Sequence, residues 1–238
     1  MSASSQSKRV IVALDTPSLF RAESWIKELK GLVRFYKVGF ELFTAHGWKA
    51  VERIKRLGAS VFLDLKLHDI PNTAAKTAEV IMDHGVDIFN VHASGGFEMM
   101  KAVREAVDHR GKKSRKKPLI LAVTVLTSLD QAALSKELGI KRTVEDQVLG
   151  LAALAKRAGL DGVVSSPREL GVLRQKFPRN FVLLTPGIRL ASDKRGDQKR
   201  ILEPKTAFQK GADFIVIGRP ITASPKPAEA ARLILQSL

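Results

Sequence analysis

Short runs of β-branched and other apolar residues recur along the chain at 10–15, 35–39, 61–67, 88–93, 119–127, 162–165, 182–185 and 214–218. Between them, the stretches 19–32, 48–57, 73–84, 97–107, 144–158 and 228–235 carry apolar residues near i, i+3 and i+4. Strand-like runs alternating with helix-period segments predict parallel strands joined by crossover helices. Eight such runs are the number that closes an α/β barrel of the TIM (β/α)8 type, and 238 residues fit one such barrel. No composition shift marks a domain boundary, and no repeat of fixed length is seen. The expected organisation is a single barrel domain over residues 1–238, with residues 1–8 as a flexible N-terminal segment.

Composition adds exclusions. Hydrophobic residues make up 45% and charged residues 27%, as in an ordinary globular protein. No apolar run approaches the roughly 18 residues of a membrane span, and the small polar N-terminus lacks the apolar region of a signal peptide, so a cytoplasmic protein is expected. Cysteine is absent, which removes disulfides, thiolate metal sites and a cysteine nucleophile.

The net charge of +16 points to an anionic partner. Part of the excess lies in Lys112, Lys113, Arg115, Lys116 and Lys117, between a helix-like and a strand-like segment, and reads as a solvated loop. A second basic stretch, with Arg189, Lys194, Arg195, Lys199 and Arg200, follows a Pro-Gly turn at a strand end and suits a phosphate. Its dozen or so polar residues have the length of a binding loop or lid. A nucleic-acid-binding module is a rival of a different class, but a single Tyr and no interleaving of aromatic with basic residues argue against it.

Barrels of this type carry their chemistry at the C-terminal ends of the strands. Those ends supply Asp15, Lys37, Asp64, Lys66, Asp69 and Thr127, then Pro186 with Gly187, and Gly218 with Arg219. Asp64 and Lys66 are two residues apart, so their side chains share one face of a strand. Lone charges at a barrel mouth are costly to desolvate. The five charged groups are therefore expected to alternate in a network, whereas merely plugging the barrel would call for apolar side chains. Glycine at a strand end lets backbone N–H groups approach an anion, and an adjacent arginine offers a fork of donors to phosphate oxygens. Arg189 and Arg219, on the last two strand ends, fit that role. His92 is either a titrating group at the mouth or a hydrogen-bonded structural histidine. His46, His84 and His109 read as structural or solvent-facing, and Trp25 and Trp48 as core or interface residues.

The segment Phe62-Leu63-Asp64-Leu65-Lys66-Leu67-His68-Asp69-Ile70-Pro71-Asn72-Thr73 resembles the D-x-K-x-x-D-I-P-N-T signature of the orotidine 5'-phosphate decarboxylase family. The resemblance continues through Val12-Ala13-Leu14-Asp15, Lys37-Val38-Gly39, Leu126-Thr127-Ser128, Thr185-Pro186-Gly187-Ile188-Arg189 and Ile217-Gly218-Arg219-Pro220-Ile221, so it covers essentially the whole chain. It implies removal of carbon dioxide from orotidine 5'-monophosphate to give uridine 5'-monophosphate in pyrimidine biosynthesis, with neither cofactor nor metal. By that resemblance Lys66 is the proton donor to C6 of the pyrimidine, Asp64 faces the substrate carboxylate, and Lys37 and Asp69 complete the charged array. Asp15 and Lys37 would contact the ribose hydroxyls, and Thr127 the pyrimidine edge, with Pro186 also lining the substrate. Arg189, Gln198, Gly218 and Arg219 would hold the 5'-phosphate. Asp69, Ile70 and Thr73 would complete the site of a partner subunit, which implies a homodimer; neither a membrane nor a nucleic acid is an expected partner. The nearest alternative is a metal-dependent sugar-phosphate decarboxylase or epimerase on the same barrel. The Asp-Ile-Pro-Asn-Thr extension and the Thr-Pro-Gly-Ile-Arg motif speak against it.

Overall fold

Eight parallel strands follow one another in chain order and close into a barrel: β1 (Val10–Ala13), β2 (Phe35–Val38), β3 (Ser60–Leu67), β4 (Ile88–His92), β5 (Leu119–Val123), β6 (Gly162–Val164), β7 (Val182–Thr185) and β8 (Phe214–Ile217), with β8 pairing back onto β1. The structure is a computed structural model and describes residues 7–111, 117–188 and 202–238. Every apolar run singled out in the sequence holds a strand of this TIM-type barrel. Six end short of the predicted run, β1, β2, β4, β6 and β8 by one or two residues and β5 by the most, ending at Val123 although the β-branched run continues to Thr127. The reason is the ladder, because Val123 pairs with His92 and Val164, the last residues of both neighbouring strands. Past that point one last bond runs to β6, from the Thr124 N–H to the Val164 carbonyl at 3.1 Å, and the chain then turns at Leu126–Leu129 through a Leu129 N–H bond to the Leu126 carbonyl of 3.0 Å.

Alternation along each strand divides the core in two. Inward residues, among them Ile11, Phe62, Ile88, Leu121, Leu184 and Val216, fill the barrel. Outward residues such as Val12, Leu63, Phe89, Ala122, Leu183 and Ile215 pack beneath the helices. At the end opposite the strand C-termini, Phe35 meets Phe214 edge-on with ring centroids 5.8 Å apart. Gly162 lets β6 and β7 lie close, since a Cβ there would stand 2.1 Å from the Val182 carbonyl oxygen.

The six helix-period segments appear as the helices Leu19–Glu28, Trp48–Arg56, Pro71–Asp83, Gly96–Gly111, Val144–Arg157 and Pro227–Gln236. Their starts follow from ordinary capping: Ser18 Oγ accepts the Arg21 N–H at 3.2 Å, Thr143 Oγ1 accepts the Asp146 N–H at 3.0 Å, and Pro71 opens its helix without forfeiting a donor. Shorter helices at Phe40–His46, Leu170–Lys176, Pro204–Gln209 and Arg219–Thr222 escaped the periodicity, because one or two turns repeat too few times to show it. Trp25 is buried in the core, and Trp48 stacks on His84 at 3.9 Å. Ahead of β1, Ser7–Arg9 forms a 3-10 turn whose Arg9 Nε donates to the Asp213 carbonyl. Most of the basic run, residues 112–116, lies outside the described residues, as do residues 1–6 and 189–201. Among the described residues no helix is long and apolar enough to cross a membrane.

Candidate active site

The ends of β1, β2 and β3 place four charged side chains in a row. Lys37 Nζ lies 2.8 Å from Asp15 Oδ1 and 3.5 Å from Asp64 Oδ2, and Lys66 Nζ lies 2.8 Å from Asp64 Oδ1. The signs alternate along the row Asp15, Lys37, Asp64, Lys66, as the sequence predicts. Lys37 and Asp64 are only 12% and 14% exposed, a burial that each would resist alone and that the mutual pairing offsets. Burial by itself would push the Lys37 ammonium down, but the carboxylates of Asp64 and Asp15 outweigh it and hold its pKa above the ordinary lysine value. The ammonium is thus fixed as a charge. Gly39 makes room for it: a Cβ there would stand 2.8 Å from Lys37 Nζ.

Lys66 is held in an uncommon way. Its φ is +48°, and among the described residues no other non-glycine has a positive φ. A left-handed residue of this kind costs on the order of 1–2 kcal/mol, and its presence at a charged cleft is the usual mark of a functional constraint. The β3–β4 register slips between Leu63 and Leu67, and within the slip the Lys66 N–H donates to Asn90 Oδ1 at 2.8 Å. Asn90 Nδ2 in turn donates to Asp64 Oδ1 at 2.7 Å. The Phe40 ring lies 5.4 Å from Lys66 Nζ.

These groups open into a cavity of about 460 Å³, a size suited to a small-molecule ligand. Its floor is the upper layer of the barrel core, including Ala13, Phe62, Val123 and Leu184. Asp15, Lys37, Asp64 and Lys66 line it from β1 to β3, Thr127 and Ser165 from β5 and β6, and Pro186, Gly187, Gly218 and Arg219 from β7 and β8. Gly187 needs its freedom, with φ at +79°. The family model of "Orotidine 5'-phosphate decarboxylase / HUMPS family" matches residues 8–234. The chain belongs to that family.

Individual relatives agree with the family match. The chain is 50% identical over 227 residues to a protein of Moorella thermoacetica named orotidine 5'-phosphate decarboxylase, covering 95% of this chain and 90% of the relative. A protein of the same name from Geobacter metallireducens is 47% identical over 228 residues, covering 96% and 95%. Among solved structures, orotidine 5'-phosphate decarboxylase from Lactobacillus acidophilus superposes with a TM-score of 0.85 at 36% identity, covering 96% of this chain and 98% of that one.

Within this family fold, eight of the residues expected at the site line one cavity: Asp15, Lys37, Asp64, Lys66, Thr127, Pro186, Gly218 and Arg219. Three others stand apart from it. Asp69, Ile70 and Thr73 are exposed at the start of the helix Pro71–Asp83, and Asp69 Oδ1 accepts the N–H of Ile70 at 2.7 Å. Asp69 therefore does not extend the row within this chain. Arg189 and Gln198 lie outside the described residues, as does the rest of the basic stretch that follows β7. His92 sits beside the array, its ring 5.2 Å from that of His68, with a buried Nδ1 that has no hydrogen-bond partner among the described residues. Two polar residues at the site went unread in the sequence. Ser165 follows an apolar strand as one of many serines, and Asn90 stands in a strand between Phe89 and Val91 with no motif to mark it. A buried amide at an inward position of a strand was the available signal for Asn90, since such a group must find partners.

Proposed function

We propose that this chain decarboxylates orotidine 5'-monophosphate to uridine 5'-monophosphate in the cytoplasm, with Lys66 as the acid and without a metal or cofactor. The observation that carries this reading is the row of alternating charges at the mouth of an otherwise apolar barrel, with Lys66 at its end facing the cavity. In the reaction the bond between C6 and the carboxylate carbon breaks, carbon dioxide leaves, and the electron pair remains on C6 in the ring plane. An ammonium fixed beside C6 favours that charge before any bond to hydrogen forms, which is preorganised electrostatic catalysis. Lys66 then delivers its proton to C6, and solvent restores the ammonium. Asp64, carrying hydrogen bonds from both sides, fixes the Lys66 head group and faces the carboxylate that departs. Asp15 and Lys37 take the ribose hydroxyls, Thr127 the pyrimidine edge, and Pro186, Gly218 and Arg219 the remainder of the nucleotide up to its phosphate. By the family resemblance Arg189 and Gln198 join the phosphate contacts.

The reading includes a homodimer. Ile70 is 66% exposed and Phe40 57%, large apolar side chains beside the mouth that a second subunit would cover. Asp69, Ile70 and Thr73, turned away from their own cavity, are then available to complete the partner's. Two inactive variants test this together: Lys66→Ala disables the site of its own subunit, and Asp69→Ala the site of the partner. Unfolded and refolded as an equal mixture, they should recover about a quarter of wild-type turnover, because half the dimers would carry one intact site of two. No recovery from well-folded mixed dimers would overturn the shared site.

The primary experiment follows the absorbance of orotidine 5'-monophosphate in EDTA with no added cofactor. Wild-type protein should convert it, and Lys66→Ala should reduce kcat below about a thousandth while nucleotide binding persists. Conversion lost in EDTA and restored by magnesium would move the metal-dependent sugar-phosphate alternative to the front.

A further inference from the structure

Asn90 is a neutral side chain that hydrogen-bonds to two members of the charged row, and it does so from complete burial at 1% exposure. It lies on β4 between the inward residues Ile88 and His92, so its amide points across to β3 at the level where the β3–β4 register slips. There it gives its Nδ2 hydrogen to Asp64 Oδ1 at 2.7 Å and takes the backbone N–H of Lys66 on its Oδ1 at 2.8 Å. Asp64 Oδ1 also receives Lys66 Nζ at 2.8 Å. A closed circuit results: backbone of Lys66 to Asn90, Asn90 to Asp64, Asp64 to the ammonium of Lys66. The circuit encloses the left-handed Lys66 backbone, a conformation that needs an external hold to persist.

We propose that Asn90 is a positioning residue for the decarboxylation. It sets the rotamer of the Asp64 carboxylate and the backbone of Lys66 at once, and so fixes where the Lys66 ammonium stands before substrate arrives. A side-chain amide meets both demands through two separate atoms on one planar group, a donor toward a carboxylate and an acceptor toward an N–H. Leucine would leave the Lys66 N–H and one carboxylate hydrogen bond unsatisfied in a buried place. Aspartate keeps the acceptor but turns an oxygen toward Asp64, and two carboxylates in contact can make a hydrogen bond only while they share a proton. The inference rests on the decarboxylase reading above, and it assigns a role in placing the array without any contact between Asn90 and substrate.

The shape-conserving variant Asn90→Asp gives a readout that a structural role alone would not produce. In the protonated pair the shared hydrogen restores the bond to Asp64; as pH rises and that proton is lost, the two carboxylates repel and the array is displaced. Its kcat should therefore fall with rising pH across a range where wild-type kcat does not, with the two enzymes closest at the acid end. Asn90→Ala should lower kcat about 10- to 100-fold while KM for orotidine 5'-monophosphate, and Kd for uridine 5'-monophosphate, which lacks the carboxylate, change less than about threefold. A pH profile of Asn90→Asp parallel to wild type would overturn the proposal, as would a kcat of Asn90→Ala within about twofold of wild type. If Asn90→Ala does not fold, the profile of Asn90→Asp still decides. Wild-type protein assayed alongside separates the two levels: wild type that does not turn over removes the decarboxylase reading itself, whereas active wild type with indifferent variants removes only Asn90.

Discussion

The two ends of the barrel solve opposite problems with the same strands. At the end where strands begin, Phe35, Leu119, Val182 and Phe214 fill the interior, and shape alone matters. At the other end, positions on β2, β3 and β4 carry Lys37, Asp64, Lys66 and Asn90, and the interior is held by charge pairing and hydrogen bonds. β3 shows the change within eight residues, with Ser60 to Leu63 buried and Asp64 to Leu67 half-buried. Apolar packing stabilises whatever it fills; the charged end stabilises little beyond its own desolvation. A fold built this way can lose its chemistry without losing its stability, and the reverse.

That division predicts separable failures. The largest expected effect is at the charged end: Arg219→Ala should lower kcat/KM for orotidine 5'-monophosphate about a thousandfold, on the order of 4 kcal/mol, through loss of phosphate binding energy that serves the distant reacting carbon. Its Tm should stay within about 2 °C of wild type. Steady-state kinetics and a thermal melt check both halves, and a loss under about tenfold would show that phosphate contacts do not assist the chemistry. Next comes the apolar end. Phe214→Ala removes one ring of the edge-on pair with Phe35 and should cost about 3 kcal/mol, lowering Tm by about 10 °C. At temperatures where it remains folded its kcat should match wild type. A kcat that falls with stability would mean that the two ends are coupled through the strands and that the division is false.

The same contrast explains what could be read from the sequence. Strands came through because eight β-branched runs must pair, and the mouth residues came through because Asp15, Lys37, Asp64 and Lys66 are charges at strand ends, where no packing role accounts for them. Distances did not. That Lys66 lies in the left-handed region, and that the β3–β4 register slips around it, depends on how two strands meet, which no residue in 62–73 announces. Asn90 was hidden for the same reason, as a polar residue whose partners come from another strand. Asp69 misled in a different way: it belongs to the signature by spacing, yet two residues beyond β3 the chain has turned toward solvent, so a charge near the others in sequence stands away from them in space.

The smallest expected effect tests whether the charged end influences stability at all, and His92 is the group that can report it. Burial comes first in holding its imidazole below the ordinary histidine value; His68 and Lys66 push the same way, and Asp64 opposes them. The folded state thus prefers the neutral ring. Stability from this group is fully present above the unfolded pKa, about 6.5, and is lost as pH falls through the lower folded value, because the unfolded chain binds the proton more readily. Stability by denaturant titration should accordingly decline from about pH 7 to about pH 5, and His92→Gln should flatten that decline while leaving stability at neutral pH nearly unchanged. Nδ1 favours the same outcome, since among the described residues this buried ring atom has no hydrogen bond for the substitution to remove. An undiminished slope in His92→Gln would place the acid sensitivity outside this imidazole and show that the buried ring does not link the charged end to stability.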